Sequence, residues 1–305
     1  MTGKTDIIAL LAEGRAAVAR GDEAAAQILF TQAVEAAPDD PEGHVELGRC
    51  LNRQGDRLGA IRSMSRAVSI DPDAHAALNR LRWLLRDETL ETPSALARIQ
   101  ARGVEVNSVL DVGASNGVWS IKARPCWPQA RYHLVEAFGY WREKLEALCA
   151  AEPAFSHVIA AAGTSEGEVW FSNDPEAPYG GAASTAPGQG RWSVPQVSLA
   201  GEVARLGLPG PYLIKLDTHG FERPILEGAA AILAQTSLVV IETYLFHIHP
   251  DSMLLHEMCA YMAERGFRVI DMSEPLWRDH DKALWQVDLF FVRDDRPEFQ
   301  NNGFA

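Results

Sequence analysis

Five small or proline positions near the start of the chain return after an interval of 34 residues: Gly14 and Gly48, Gly21 and Gly55, Ala26 and Ala60, Ala33 and Ala67, Pro38 and Pro72. A fixed period of that length marks stacked helical pairs, each too small to bury its own apolar face. Small residues let paired helices approach closely, and each proline follows a helix end, where it stops propagation. Two repeats are read, over 7–40 and 41–74. Residues 74–86 then form a closing helix with Ala77, Leu78, Leu81, Leu84 and Leu85 on its apolar side. A stack needs such a helix to cover its last face.

Residues 87–93 are polar with a proline and read as a linker, which divides the chain into a helical domain, 1–90, and a second domain, 94–305. After a helix over 94–102 the pattern becomes short apolar strands alternating with helices. The strands are 108–112, 131–136, 157–161, 212–217, 238–243, 267–271 and 287–292; the intervening helices include 140–150, one reaching Leu233, and 252–265. Such alternation predicts an α/β domain with a mostly parallel sheet. The last two strands are joined by a loop too short for a helical crossover, so they should pair antiparallel. Ligands of these sheets sit at the carboxyl ends of the strands. Asp111, Glu136, Ala161, Asp217 and Glu242 fall there.

Charge narrows the partners. Lys and Arg number 28 against 41 Asp and Glu, a net charge of −13, and neither nucleic acid nor an anionic membrane is an expected partner. No apolar run reaches the length that spans a bilayer. Four scattered cysteines, Cys50, Cys126, Cys149 and Cys259, form no C-x-x-C pair. With no signal-peptide pattern at the N-terminus, a cytoplasmic location is expected.

The first strand of the second domain runs into Asp111-Val-Gly-Ala-Ser-Asn-Gly117, and Glu136 ends the next strand. Glycines let the backbone turn tightly beside a ligand, and a carboxylate at the second strand end can accept both ribose hydroxyls of a nucleoside. The dinucleotide fingerprint needs three glycines at fixed offsets; this loop has Gly113 and Gly117 alone. S-adenosylmethionine carries no phosphate, and an acid before the loop suits its cationic end. The form Asp-x-Gly-x-x-x-Gly therefore favours S-adenosylmethionine over a nicotinamide dinucleotide.

The N-terminal period, with Phe30 and Met64 at its aromatic position, resembles the tetratricopeptide repeat. Residues 109–117, Leu134-Val-Glu-Ala137 and the block Ile214-Lys-Leu-Asp-Thr-His-Gly-Phe-Glu-Arg-Pro-Ile-Leu-Glu-Gly-Ala229 resemble the FkbM family of S-adenosylmethionine-dependent methyltransferases. This resemblance covers about 105–293. It implies a class I methyltransferase fold, with methyl transfer to a hydroxyl of a sugar or sugar-bearing metabolite. It places Asp111, Gly113, Ala114 and Gly117 around the methionine part of the cofactor, Glu136 on the ribose, Ala161 or Ala162 by the adenine, and Asp217 near the reacting methyl. The chain departs from the family pattern at His219, where Glu or Gln is common, and at Ala200, where Asp is common.

A sugar hydroxyl is a weak nucleophile, so a base near the acceptor helps. Asp217 and His219 are the candidate catalytic residues, His219 as the base. Glu242, His247, His249 and His256 follow closely enough to raise a metal site with Asp217 and His219, but no H-E-x-x-H pattern is present. The histidines are read instead as substrate contacts or helix caps, with no metal assigned. Residues 179–190, rich in glycine, read as a flexible loop able to reach the cleft. The repeats offer a groove for a protein partner, or a surface for self-association. Two other readings stay open: an inactive methyltransferase-fold scaffold, and a nicotinamide oxidoreductase.

Overall fold

The computed structural model describes residues 2–84, 88–174, 176–249 and 252–303. The chain divides into two compact units, Met1–Asp87 and Glu88–Ala305.

The first unit is helical: α1 (Thr2–Ala19), α2 (Glu23–Ala36), α3 (Pro41–Arg53), α4 (Arg57–Ile70) and α5 (His75–Leu84). The 34-residue period has a direct physical basis. Asp22 and Asp56 cap α2 and α4, accepting hydrogen bonds from the backbone of Ala25 and Gly59. Gly21 and Gly55, with φ of +77° and +84°, make the turns before those caps. Inside the pairs, a Cβ on Gly14 would lie 2.4 Å from the Phe30 ring, and one on Gly48 would lie 3.0 Å from Met64. Each glycine is thus the hollow for the large residue on the facing helix. Ala26, Phe30, Ala33 and Cys50 form one buried cluster; Ala60, Met64, Ala67, Ala77 and Leu84 form the next. Leu85 and Arg86 of the expected closing helix, and Asp87 of the expected linker, lie outside the described residues.

In the second unit, α6 (Thr92–Ala101) precedes a seven-stranded sheet. Part of the segment read as linker is ordered here, with a 3₁₀ turn at Glu88–Leu90 ahead of α6. The strands are β1 (Ser108–Val112), β2 (Arg131–Glu136), β3 (Phe155–Ile159), β8 (Tyr212–Leu216), β9 (Thr236–Tyr244), β10 (Phe267–Trp277) and β11 (Leu284–Arg293), in the order β10-β11-β9-β8-β1-β2-β3. β3, β2, β1, β8 and β9 are parallel; β11 is antiparallel to β9, and β10 to β11. Helices α7 (Val118–Ala123), α8 (Arg142–Ala151), α9 (Leu199–Leu206), α10 (Glu222–Gly228), α11 (Ala230–Leu233) and α12 (Leu255–Ala263) lie along the chain between strands. Alternation along the strands divides the core. Leu110, Val112, Ile214, Leu216, Val239 and Ile241 belong to one buried cluster, and Val109, Leu134, Leu213, Leu238, Val240 and Phe290 to another.

A second sheet, absent from the reading of the sequence, interrupts this pattern. It joins β4 (Ala161–Ala162), β7 (Trp192–Val197), β5 (Gly167–Asp174) and β6 (Ala177–Ser184), in that order. The third strand read at 157–161 is therefore divided between β3 and β4. Residues 179–184, expected in a flexible loop, are strand, with Ala182, Ala183 and Ser184 paired to Ser172, Phe171 and Trp170. Glycine and alanine give β6 no apolar alternation, but they let it lie close to β5: a Cβ on Gly181 would come within 2.4 Å of the Phe171 ring.

Candidate active site

The carboxyl ends of β1, β2, β8 and β9 open onto a cavity of about 370 Å³, whose other wall comes from β5 and β6. The polypeptide reaches it after β1 through a tight loop. Gly113 takes φ +71°, and a Cβ there would sit 1.9 Å from the Asp217 carbonyl oxygen, so only glycine lets the two strand ends touch.

At the β2 end, Glu136 lines the cavity and is 6% exposed. Its Oε2 accepts from the Ser115 backbone N–H and its Oε1 from that of Phe138, both at 2.7 Å. Burial raises its pKa, against these two bonds. Each oxygen keeps lone-pair capacity for a further donor. Ala114, Ala161 and Ala162 line the same cavity, beside Val135, Trp141 and Phe171.

Two of the expected cofactor residues do not line it. Asp111 is fully buried. It shares the Val109 side of β1, where Oδ2 accepts from Ser120 Oγ on α7 at 2.7 Å and Oδ1 lies 3.3 Å from Lys215 Nζ. Its carboxylate thus faces Ser120 and Lys215 beneath α7 and does not line the cavity. Gly117, at φ +78°, starts α7, and a Cβ there would meet Leu148 at 2.5 Å and Leu134 at 3.0 Å. Its need for glycine comes from close packing of α7, not from contact with the cavity.

Past β8 the polar end of the cavity is built from both strands and the turn. Leu216 pairs with Ile241, so Asp217, the first residue after β8, comes beside Glu242, which is still within β9. Lys215, 5% exposed, lies 3.2 Å from Asp217 Oδ2 and donates to the Gly113 carbonyl at 3.1 Å. Burial opposes its charge, but Asp217 and Asp111 outweigh burial and raise its pKa. Burial likewise works against ionised Asp217, yet Lys215 and then His219 hold its pKa low. Glu242 takes the opposite course: burial first, then the Asp217 charge, pushes its carboxyl well above the ordinary range. Gln286 donates to Glu242 Oε1, and the Tyr244 hydroxyl to Oε2. Asp288, opposite Glu242 on β11, is pushed up to about 7 by burial and by Asp217.

His219 sits in this end at φ +53°. Its Nδ1 lies 3.0 Å from the Gly181 carbonyl on β6. A carbonyl only accepts, so Nδ1 carries a hydrogen, and Nε2 is the nitrogen that presents its lone pair whenever the ring is neutral. Nε2 is 3.9 Å from Asp217 Oδ1 and 3.8 Å from Glu242 Oε2. The structure brings Asp217, His219 and Glu242 together and leaves out the other histidines of the expected cluster: among the described residues, the Nδ1 of His247 binds the Ser252 carbonyl and His256 is exposed on α12. Lys215, Tyr244, Gln286 and Asp288 carry no role in the reading of the sequence. A charged residue inside an apolar run, as in Tyr212-Leu-Ile-Lys-Leu216 or Val287-Asp-Leu-Phe-Phe291, is the signal that marks two of them.

Comparison with known proteins follows this geometry. Residues 111–269, slightly more than half of the chain, match the family described as Methyltransferase FkbM domain, and residues 11–75 match the tetratricopeptide repeat. The cellulose synthase operon protein C of Xanthomonas axonopodis pv. citri (strain 306) is 41% identical over 87 residues, 28% of this chain and 6% of that protein. The present chain thus spans a small fraction of that relative's length. Among solved structures, the Sgt2 tetratricopeptide domain of Aspergillus fumigatus has 29% identity and a TM-score of 0.25, covering 26% of this chain and 52% of that one. An O-methyltransferase family protein of Burkholderia thailandensis has 14% identity and a TM-score of 0.35, covering 82% and 71%. No helix among the described residues is long and apolar enough to cross a membrane. The loop after β1, the strand ends of β2 and β8 and the block from Ile214 to Ala229 all lie inside the matched region, and the chain belongs to the FkbM methyltransferase family, with tetratricopeptide repeats ahead of its methyltransferase domain.

Proposed function

We propose that this methyltransferase uses S-adenosylmethionine to methylate a hydroxyl of a saccharide or sugar-bearing small molecule. The observation that carries the reading is the cavity itself, with a buried carboxylate, Glu136, at one end and the Asp217–His219 pair at the other. The donor set fits this cofactor. Glu136 can accept the ribose hydroxyls, and Ala161 and Ala162 leave room for a flat base beside Phe171. Among the lining side chains Glu136 and Asp217 can face a cationic group, and none is an arginine that would pair with a pyrophosphate. Gly113 and Ala114 would border the methionine part, while Asp111 and Gly117 act from beneath as supports.

When bound, the cofactor supplies an activated methyl group. The chain's residues then have to align the acceptor and accept its proton. His219 Nε2 and Asp217 Oδ1 are acceptor atoms on the cavity side, oriented by Gly181 and by Lys215. A hydroxyl directed at them loses its proton to this pair, a contribution of about 10²–10⁴ in rate. The exposed ring of Tyr179, at the cavity wall and backed by the buried Trp141, gives a sugar ring a face to pack on.

The repeat unit resembles protein-interaction modules, and we assign it a protein partner or self-association. The four free cysteines accord with a cytoplasmic setting. The test is thermal unfolding with S-adenosylhomocysteine and, in parallel, NAD, followed by transfer of labelled methyl to a saccharide panel. Ligand at 100 times its dissociation constant adds about 2.7 kcal/mol to native stability. Stabilisation by S-adenosylhomocysteine alone supports the reading, and stabilisation by NAD alone overturns it.

A further inference from the structure

The polar end of the cavity has a property that proton acceptance does not require. One ligand atom each from Asp217, His219 and Glu242 lies within 4.8 Å of the other two. We propose that these three residues form a binding site for a divalent cation, Mn²⁺ or a similar ion, at the acceptor end of the cleft. The proposal rests on the methyltransferase reading for the acceptor's place, but not for the ion's.

The polarity of each donor is fixed from behind. The Gly181 carbonyl takes the hydrogen of Nδ1, so Nε2 is the nitrogen aimed at the two carboxyl groups, where an ion would take its lone pair in place of a proton. An imidazole anchored by a backbone carbonyl on its far nitrogen is the usual arrangement behind a metal-bound histidine. Gln286 and Tyr244 hold the two oxygens of Glu242. Lys215 engages Asp217 through Oδ2, so Oδ1 is the oxygen facing Nε2. Lys215 therefore balances charge behind the site without filling the space between the donors.

Distance fits with little movement. Adjacent ligands of an ion with bonds near 2.1 Å stand about 3–3.5 Å apart, and the Nε2-to-oxygen separations here are 3.8 and 3.9 Å. Small side-chain rotations close that gap. One nitrogen and two carboxylate oxygens suit Mn²⁺ or Zn²⁺ better than Ca²⁺, which takes oxygen ligands. Three protein ligands leave coordination positions open on the cavity side. There an ion can hold an acceptor hydroxyl, or a neighbouring pair of hydroxyls, and lower its pKa. With Nε2 and both oxygens of Asp217 engaged, the hydroxyl proton passes to solvent water, and the ion offsets the alkoxide charge.

The experiment is titration of the full chain, freed of metal with EDTA, with Mn²⁺. Bound ion is read by loss of the free-Mn²⁺ electron paramagnetic resonance signal, and S-adenosylhomocysteine binding is measured calorimetrically on the same sample. The expected result is one Mn²⁺ per chain, weakened about 100-fold in His219→Ala and in Glu242→Gln and about 10-fold in Tyr244→Phe. Circular dichroism reports whether each variant is folded. The inference is overturned if the wild-type chain binds no Mn²⁺ or Zn²⁺, as expected for a proton shared by Asp217 and Glu242. It is also overturned if folded His219→Ala and Glu242→Gln bind Mn²⁺ as tightly as the wild type. Loss of S-adenosylhomocysteine binding with Mn²⁺ binding intact would overturn the cofactor reading instead.

Discussion

Asp111 and Lys215 occupy the same register position on neighbouring parallel strands, with Lys215 Nζ 3.3 Å from Asp111 Oδ1. Both are buried; without Asp111, Lys215 keeps Asp217 as its partner, while the buried Ser120 hydroxyl loses its acceptor. Asp111→Ala is expected to lower unfolding free energy by about 1–3 kcal/mol, measured by urea denaturation. Any fall in cofactor affinity should come with that loss of stability. Wild-type stability in Asp111→Ala would show that the pair does not support the strand ends.

Glu136 should behave differently, because its carboxylate faces the cavity. Glu136→Gln cannot simply replace it: both oxygens accept from backbone N–H groups, and an amide would aim its own donor at one of them. We expect Glu136→Gln and Glu136→Ala to weaken S-adenosylhomocysteine binding by about 1.5–3 kcal/mol for each lost bond to the charged group. Calorimetry with unchanged affinity in both variants would remove the ribose assignment.

A pH dependence follows from the same side chain. Burial raises the Glu136 pKa above its unfolded value. The folded chain therefore takes up this proton at a higher pH than the unfolded chain does. This group's contribution to folding becomes more favourable as pH falls, while its carboxylate is lost as a hydrogen-bond acceptor. Cofactor affinity is expected to fall with decreasing pH, starting above the ordinary glutamate value of 4.5. The decline should be absent in Glu136→Ala.

The two repeats offer a matched pair of substitutions. Gly14→Ala places a methyl 2.4 Å from a phenylalanine ring, whereas Gly48→Ala places it 3.0 Å from the end of a flexible methionine. Overpacking costs about 1–3 kcal/mol, and replacing helical glycine by alanine returns about 1 kcal/mol. Gly14→Ala should destabilise the repeat unit, and Gly48→Ala should be close to neutral. Equal melting curves for the two variants would contradict the packing account.

A fifth expectation concerns the boundary. A 88–305 fragment keeps the 3₁₀ turn and α6, whose Arg98 grips Asp271 on β10 at 2.7 and 2.8 Å. It should fold and bind S-adenosylhomocysteine. An insoluble fragment would show that the repeats are needed for folding.

The strand ends were readable because buried parallel strands are short apolar runs, and the residue that breaks each run is conspicuous. Sequence alone does not say which way that residue points. Asp111 and Glu136 look alike as strand-end acids, yet the first points beneath α7 and the second lines the cavity. The second sheet was hidden for another reason. β6 reads Ala-Pro-Tyr-Gly-Gly-Ala-Ala-Ser, a composition of loops, and becomes a strand because small residues let it lie against Phe171. His219 was found from its place after β8, but its orientation depends on that unpredicted strand.

The hydrogen bond from His219 to Gly181 joins residues 38 positions apart, one in the turn after β8 of the first sheet and the other on β6 of the second. The segment that walls the cleft, and so meets whatever molecule enters, also decides which imidazole nitrogen faces it. With His219 in the role proposed above, selectivity and reactivity are not separable modules in this protein. An insertion or exchange between β4 and β7 that reshapes the opening for another acceptor must still deliver a carbonyl to the same point, or the reshaped enzyme will bind its new molecule before a histidine turned the wrong way.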